Sequence, residues 1–486
     1  MKSELNFIVK KDDQVFDMHE LGIWVQSFHI LSPNINRSKL VVPSMAGAYL
    51  SSTQEGERRV SIEMLIESNS MIEFDRLKHQ IFDLFYSKDK LTIIRDLTPD
   101  KEMYVMQEGD YDIESITCSD GEFNITLIML DPYLYGEEQS HEFTNNILNV
   151  TNNGTAEANH IIELEVLDEP LTFSTFIMVQ NQDNQYMLIG DPLDVESEPY
   201  QRYERLLYSS ADSLVGWTTA GTGEIDGMVS GTMEAVNNRF QAADYGSGSG
   251  WHGPAIKQSL PETVQDFRMQ TWITLDNSGT TVGRIELYLL DVNGNQVAKI
   301  SMKDAKSGER LGYGEARAGG PLDNHFLISE YGDRKGNWNN FAGILRIERE
   351  GQHWSAFFGI GNARNGYHAR RRAYWTDTRE KYNTPIAQVV VHMGQYGSHA
   401  PCVGGIYSVS VDKINHQEYG TPVIVQTGDL VRFDTKNEDV WINGESRKDI
   451  LDFGSDFFSL KPGGNQLIVL PDGNFKTTLK SRDTFR

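Results

Sequence analysis

The chain has 486 residues and a formal net charge of −25, from 44 Lys and Arg against 69 Asp and Glu. This length exceeds one ordinary hydrophobic core, so we expect roughly two to four domains. The acidity argues against direct binding of nucleic acid, because phosphates are neutralised by surfaces rich in Lys and Arg. The start lacks an apolar leader and no stretch approaches about 18 uncharged apolar residues, so we expect neither a signal peptide nor a membrane span.

The first domain is expected over residues 1–138, as strands interrupted by one helix. Alternating apolar residues and β-branched side chains predict the strands, as in RRVSIEMLIE and FNITLIML. Spacings of three and four in EFDRLKHQIFDLFYSK predict a helix with one apolar stripe, formed by Phe74, Leu77, Ile81, Leu84 and Phe85. The polar segment SSTQEGERRV is either the tip of a projecting hairpin or an ordinary surface loop.

The composition changes in the middle of the chain. Residues 206–416 contain 20 Lys and Arg against 21 Asp and Glu, whereas the remainder contains 24 against 48. They also hold 28 of the 43 Gly and six of the eight Trp. About a dozen strands with Gly-rich connections predict a jelly-roll β-sandwich here. Acidic strand patterns flank it over 139–205 and 417–486, so we expect one discontinuous β-domain that carries an inserted one, since loop insertions cost little when their ends adjoin.

The cysteine content indicates a reducing compartment. Only Cys118 and Cys402 occur, far apart in sequence, which excludes a disulfide framework. We predict that both are free thiols and that the protein is made in the cytoplasm of its host cell.

Three motifs resemble the distal tail protein (Dit) family of siphophages infecting Gram-positive bacteria. MLDPYLYG at 129–136 resembles the motif that closes the family's first domain. VTNNGTAEANHIIELEV at 150–166 is similar to the start of its second domain, and SDFFSLKPGGN within 428–469 is similar to its C-terminal hairpins. The resemblance covers 1–205 and 417–486.

The resemblance implies a mainly β, non-enzymatic virion protein at the distal end of the phage tail. Such proteins form a homo-hexamer, a ring that links the tail tube protein to the tail-associated hub protein; DNA only passes through its channel, and no membrane is involved. The second domain would be a galectin-like β-sandwich. An acidic ring would repel the passing DNA, although the acidity has solubility as an alternative explanation.

The chains of the family pattern are shorter and lack a segment that corresponds to residues 206–416. This insert looks like the carbohydrate-binding modules that some members carry. Residues 206–416 are therefore expected to bind host cell-wall polysaccharide during adsorption. The alternatives are a glycan-degrading enzyme and a purely structural spacer.

Sugar binding requires exposed aromatic faces beside hydrogen-bonding side chains. The insert offers three such clusters: Trp251 with His252 in a Gly-rich loop; Trp338 between Asn337 and Asn339 at a predicted loop tip; and Tyr367, His368, Arg370, Arg372, Tyr374 and Trp375 in GYHARRRAYWT. The third suits an anionic wall polymer, because Arg pairs with acidic groups. For each aromatic residue the alternative is packing in a core or between domains. Trp272 and Trp354 alternate with apolar residues and are predicted to be core.

One segment has the spacing of a calcium loop. Asp291, Asn293 and Asn295 in DVNGNQ lie two residues apart, as cation ligands do. However, Asn-Gly between two strand-like runs is typical of a tight hairpin, and position 302, where a calcium loop would carry an acid, is Met. We therefore favour the hairpin and expect no cofactor, with calcium at this loop as the alternative.

A glycosidase would need two carboxylates facing one cleft. Glu286, Glu348 and Glu350 lie on predicted strands and could line a concave sheet. Glu348 and Glu350 flank Arg349, however, and such alternation is more typical of a solvated strand face. The enzymatic interpretation is therefore the weaker one.

Overall fold

The computed structural model describes residues 4–44, 46–168, 173–193, 197–277, 279–417, 419–473 and 475–486. Within these ranges the chain is almost entirely β, with one α-helix and one short 3-10 helix at Lys448–Ile450. The predicted mainly β, sandwich architecture is confirmed. No helix of the described ranges is both long and apolar enough to cross a bilayer.

The N-terminal part places one helix against a set of strands. The helix α1 spans Met71–Phe85, and its five buried residues are those of the predicted stripe, so this prediction is confirmed. The hydroxyl of Ser70 caps it by accepting a hydrogen bond from the Glu73 N–H at 3.2 Å. The strands are β1 (Phe7–Lys11), β2 (Gln14–Asp17), β3 (Ile23–Ile30), β4 (Ile35–Leu40), β5 (Tyr49–Glu55), β6 (Arg58–Glu67), β7 (Leu91–Arg95), β8 (Thr98–Gln107), β9 (Glu114–Ser115), β10 (Asp120–Met129) and β11 (Leu134–Glu142).

The second part combines strands from before and after the insert. Its first strands are β12 (Ile147–Asn152), β13 (His160–Val166), β14 (Phe173–Ser174), β15 (Phe176–Asn181), β16 (Tyr186–Gly190) and β17 (Pro199–Tyr200). Its last strands, in the same numbering, are β35 (Thr421–Pro422), β36 (Val425–Gln426), β37 (Leu430–Asp434), β38 (Asp439–Ile442), β39 (Glu445–Ser446), β40 (Gly463–Leu470) and β41 (Phe475–Phe485). One hydrophobic core unites side chains of both groups, from Leu148 to Leu479.

The C-terminal strand connects this second part to the N-terminal part. β41 pairs antiparallel with β11 on one side and with β13 on the other. The sheet order β8-β11-β41-β13-β37-β38-β39 therefore runs through both parts.

The insert is a sandwich of two sheets with its own core. Its strands are β18 (Tyr203–Ser209), β19 (Thr218–Thr219), β20 (Met228–Val229), β21 (Thr232–Ala235), β22 (Phe240–Asp244), β23 (Trp251–Gly253), β24 (Ala255–Val264), β25 (Phe267–Asp276), β26 (Gly283–Leu290), β27 (Gln296–Asp304), β28 (Tyr313–Gly319), β29 (Asn324–Glu330), β30 (Phe341–Glu350), β31 (His353–Asn362), β32 (Gly366–Thr376), β33 (Ile386–Tyr396) and β34 (Val403–Ile414). The eight-stranded sheet has the order β21-β22-β34-β25-β30-β31-β32, with β18 on β34. The nine-stranded sheet has the order β19-β24-β33-β26-β27-β28-β29, with β20 and β23 beside it.

The chain segments that lead into and out of the insert lie side by side. β17 pairs with β35, and the Thr421 N–H donates to the Glu198 carbonyl at 3.0 Å. Close ends are what a tolerated loop insertion requires. The boundaries at 138, 205 and 416 remain predictions.

Candidate functional site on the insert

One face of the insert is covered by the C-terminal part of the chain. The outer face of the eight-stranded sheet meets the β38–β39 turn, where the Arg346 guanidinium donates two hydrogen bonds to the Glu445 carboxylate, at 2.5 and 2.7 Å. Arg372 donates a third at 2.5 Å. Arg268 and Arg346 also contact Glu348, at 2.8 and 2.9 Å. We call these five residues the Glu445 cluster.

The central ion pair of the Glu445 cluster is largely buried. The side chains of Arg346 and Glu445 are 10% and 12% exposed. Burial raises the pKa of Glu445, but Arg346 and Arg372 outweigh it, so this pKa lies below its ordinary value. Both partners are therefore charged at neutral pH. A bidentate pair of this kind fixes the relative orientation of its two planar groups, and here they belong to the insert and to the C-terminal part.

The outer face of the nine-stranded sheet is partly covered by the Gly-rich residues 220–230. Asp226 accepts hydrogen bonds from Lys299 at 3.0 Å and from Arg317 at 2.9 Å. Gly227 adopts a φ of +133°, and a Cβ there would lie 2.7 Å from the Trp251 carbonyl oxygen. The segment therefore requires glycine at this position to approach the sheet.

Glu286 lies fully buried beneath this segment. The Tyr288 hydroxyl donates to it at 2.6 Å, Lys299 Nζ lies 2.6 Å away, and His392 Nδ1 lies at 2.9 Å. Burial raises the pKa of Glu286, but Arg284 and Lys299 hold it well below its ordinary value. Burial also lowers the pKa of His392. The group is thus a carboxylate beside a neutral imidazole, closed to solvent.

The three candidate glycosidase carboxylates do not share a cleft, so they do not form the paired site that the enzymatic alternative requires. Glu286 belongs to the nine-stranded sheet, whereas Glu348 and Glu350 lie on β30 of the other sheet. Glu348 is held in the Glu445 cluster, and Glu350 accepts a hydrogen bond from Arg202 at 2.9 Å. Paired-carboxylate hydrolysis needs both groups beside one bond.

The two residues of the first predicted sugar-binding cluster differ in solvent exposure. Trp251 is half-buried, packs edge-to-face on Tyr396 with centroids 5.3 Å apart, and has the Arg284 guanidinium 4.5 Å from its ring. His252 is buried, with Nδ1 2.9 Å from the Gly250 carbonyl. The expectation of an exposed His252 is therefore corrected, because alternation along β23 turns it away from solvent.

The second cluster is structural. Trp338 is fully buried and donates its indole N–H to the Ala369 carbonyl at 2.8 Å, so the expectation of a ring at an exposed loop tip is wrong. Asn339 accepts hydrogen bonds from Asn277 and from the Gly312 N–H, at 3.1 and 2.9 Å. Asn337 is half-buried. The loop folds inward because its tryptophan fills the core of the sandwich.

The third cluster lies on β32, the edge strand of the eight-stranded sheet, and alternates between exposed and packed residues. Tyr374 is 73% exposed, and His368 and Arg370 are exposed as well. Trp375 instead stacks on His325, with centroids 3.7 Å apart and planes 15° apart.

Two further members of the third cluster, Tyr367 and Arg372, pack against the ring of Phe357. Tyr367 contacts Phe357 edge-to-face at 5.8 Å, and the Arg372 guanidinium lies 4.9 Å from that ring. Burial raises the pKa of Tyr367 to about 12. Tyr367, Arg372 and Trp375 are thus engaged by protein groups.

The two tryptophans predicted as core residues differ. Trp354 is buried in the sandwich core, as predicted. Trp272 is half-buried, contacts Tyr407 with centroids 5.0 Å apart, and donates its N–H to the Gly361 carbonyl at 2.8 Å. That prediction is wrong, because its neighbours Thr271 and Ile273 are the buried residues of the alternating strand.

The DVNGNQ segment forms the predicted hairpin between β26 and β27. The Asp291 carboxylate accepts hydrogen bonds from the N–H groups of Asn293 and Asn295, both at 2.8 Å, and from the Asn295 amide at 2.9 Å. Within the described ranges no three His, Cys, Asp or Glu residues group as metal ligands would. Calcium at this loop stays an untested alternative.

Sequence reasoning missed the residues that accompany Trp251. Tyr396 packs on Trp251, and the His399 ring lies 6.3 Å from the Tyr396 ring, but both come from a strand end almost 150 positions away. Only the pairing of β23 with β33 brings them together. A Tyr followed by Gly-Ser-His after a long apolar strand was the single available signal.

A second unassigned surface is the hairpin of β4 and β5. Among the described strands, β4 and β5 pair only with each other, and nearly all of their side chains are exposed. The predicted projecting hairpin exists, but SSTQEGERRV contributes to β5 and to the start of β6 instead of forming its tip.

Two family models match the ends of the chain. Residues 18–129 match the phage tail protein RIFT-related domain, and residues 408–485 match the C-terminal domain of the siphovirus-type tail component. No curated protein matches the sequence significantly.

Several solved structures are similar in fold. The SPP1 Dit protein, from a phage that infects Gram-positive bacteria, has 10% identity over 99% of both chains, with a TM-score of 0.39. The CBM2 module of the evolved Dit of Lactobacillus casei BL23 phage J-1 has 14% identity over 45% of this chain and 99% of its own, with a TM-score of 0.39. The laminarinase catalytic domain of Thermotoga maritima has 11% identity over 44% of this chain and 100% of its own, with a TM-score of 0.30. Models of siphophage tail proteins thus match both ends of the chain, which agrees with the resemblance of its motifs to the distal tail protein (Dit) family of siphophages.

Proposed function

We propose that six copies of the protein form a ring at the distal end of the virion tail. The ring links the tail tube protein to the tail-associated hub protein and leaves a channel for DNA. The β4–β5 hairpin supports assembly, because Leu40, Val41 and Leu50 are 59%, 69% and 60% exposed. A two-stranded hairpin is marginally stable alone, and exposed apolar side chains of this number usually contact a partner. A neighbouring copy would supply that surface.

The distribution of charge fits the same proposal. The acidic excess lies outside residues 206–416, in the flanking residues 1–205 and 417–486. An acidic channel wall repels DNA and prevents its adhesion during passage.

We further propose that the insert binds a saccharide of the host cell wall during adsorption. The observation that supports this most directly is the exposed set on β32. Tyr374 offers an open ring whose hydroxyl accepts a hydrogen bond from Arg372 at 3.3 Å, and Arg370 and His368 are exposed farther along the strand. A free aromatic face with adjacent donors suits a sugar with an acidic substituent. The pair of Trp251 and Tyr396 is a second aromatic surface on the same module.

The test is retention of the full-length protein on purified host cell walls. We expect Tyr374→Ala to weaken retention at least tenfold. Tyr86→Ala, which removes a tyrosine outside the insert that is 64% exposed, should leave retention unchanged. Retention by wild type without release of reducing ends supports a binding module. If wild type is not retained, the insert is a spacer, and if reducing ends appear, it is an enzyme.

A further inference from the structure

We propose a second ligand site, for a single sugar ring, in the cavity between the insert and the C-terminal part of the chain. The cavity has a volume of about 160 Å³ and is open to solvent. We call it the junction cavity. It is smaller than the roughly 300 Å³ at which drug-sized sites begin, so it suits one ring and not an oligosaccharide.

The floor of the junction cavity is a cross-strand row on the outer face of a sheet. Strand register places Trp441 opposite Arg432, Arg432 opposite Glu163, and Glu163 opposite Thr478. These four side chains share one face, because alternate residues of a strand do. The neighbours Val431 and Leu164 point into the core. One tryptophan thus lies beside a line of polar groups.

The roof comes from the insert. The tip of the β31–β32 hairpin, with Ala363, Arg364 and Gly366, lines the cavity. It touches the turn before β39, since a Cβ on Gly444 would lie 3.0 Å from the Gly366 Cα and 3.1 Å from the Ala363 carbonyl oxygen. Glu445 follows directly in that turn, so the Glu445 cluster holds the roof over the floor. The cavity exists only while the insert is docked.

The chemistry of the lining favours a polyhydroxylated ring. Arg364, Arg432 and Lys476 donate, whereas Glu163, Glu165 and Thr478 accept. In the part of the chain that is described, the side chains of Arg364, Glu165 and Lys476 make no ion pair or hydrogen bond with protein groups. The cavity lining has three basic and two acidic side chains, so its charge is nearly balanced. Glu163 and Glu165 would repel a strongly anionic ligand, and the three basic side chains would repel a cation. Hydroxyl groups satisfy both signs, and the Trp441 ring supplies an apolar wall for the sugar's C–H face.

The Arg432 guanidinium supports the Trp441 ring from one side, at 4.8 Å from its centroid. Lys480 Nζ holds Glu163 at 2.7 Å. Floor groups on four strands are therefore positioned before a ligand arrives. A bound sugar would contact both the insert and the C-terminal part, and so would strengthen their docking.

The experiment is saturation-transfer NMR on the full-length protein with D-glucose, D-galactose, N-acetyl-D-glucosamine and L-rhamnose. We expect transfer to at least one of them, a loss of at least tenfold in Trp441→Leu, and a several-fold loss in Arg364→Ala. Arg334→Ala, an exposed arginine on another loop, is the control and should match wild type.

The proposal is overturned if none of the four sugars receives saturation, or if the signal persists in Arg364→Ala and Trp441→Leu. Arg364 is exposed at a hairpin tip, so its variant tests the site even if Trp441→Leu misfolds. The junction cavity is separate from β32 and Trp251, and wall retention tested with Tyr374→Ala can fail or succeed independently of it.

Discussion

Replacing Glu445 by Gln should loosen the insert from the C-terminal part. The substitution keeps the size of the side chain but removes the charge that Arg346 and Arg372 pair with. Breaking a buried ion pair costs about 3–5 kcal/mol when the remaining charge has no other partner. Arg346 keeps Glu348 at 2.9 Å, so the cost lies at the lower end of this range. The side chains of Arg346 and Glu445 are 10% and 12% exposed, so screening by solvent reduces the energy of this ion pair only slightly. Arg372 is 39% exposed and adds less than about 1 kcal/mol.

We take about 3 kcal/mol, the lower end of that range, because the Gln amide oxygen still accepts one hydrogen bond. For a unit of about 200 residues this lowers the melting temperature by roughly 6–12 °C. Differential scanning calorimetry measures the shift, and hydrogen exchange should rise at 343–350 and 439–446. Glu262→Gln, in an exposed pair with Lys413, is the matched control and should change stability by less than about 0.5 kcal/mol.

The stability that Glu445 contributes should decrease as the pH falls. The pKa of Glu445 is lowered in the folded protein, so its contribution is complete above its ordinary pKa of 4.5 and is lost as the pH falls through the lower folded value. Wild type and Glu445→Gln should therefore differ at pH 7 and converge below pH 4.5. Equal melting temperatures and equal exchange at pH 7 would refute the role assigned to the Glu445 cluster.

Other substitutions separate packing from ligand contact and test the hairpin. Trp338→Ala should destabilise the insert by about 4 kcal/mol in denaturant unfolding, because a fully buried indole is removed. Trp375→Ala should lower the free energy of unfolding by about 2 kcal/mol, because the stack on His325 is lost. Tyr374→Ala should lower it by less than about 0.5 kcal/mol. Reversed values would make Tyr374 the packing residue and Trp375 the candidate ligand contact. Leu40→Asp with Leu50→Asp should abolish oligomers in light scattering while the melting temperature of the N-terminal part stays unchanged; persisting oligomers would exclude the hairpin as a contact.

Much of the fold follows from local patterns. The α1 stripe is predicted because spacings of three and four place Phe74 and Leu77 on one side of a helix, and the structure buries both. The mainly β character follows from alternation in strands such as β25, whose burial alternates strictly. About a dozen strands were expected in the insert, whereas the described part contains 17, because strands of two to five residues carry too little alternation to detect.

The candidate site was less predictable because it depends on which face of each strand is covered. Trp338 lies between Asn337 and Asn339, which indicates an exposed loop, yet the loop folds onto the sandwich core. Trp272 has apolar neighbours but occupies the opposite face of its strand. Glu445 and Arg346 are about 100 positions apart, and their pairing arises only from docking of the insert. Local sequence carries no signal for such contacts.

Native mass spectrometry, at protein concentrations that favour assembly, tests most directly whether this protein assembles as a ring of six through its N-terminal hairpin. We predict a dominant species of about 330 kDa, six times the 55.0 kDa chain, which falls to the single-chain mass in the Leu40→Asp and Leu50→Asp double variant. A 55.0 kDa species alone at every concentration, identical in wild type and variant, would contradict the account.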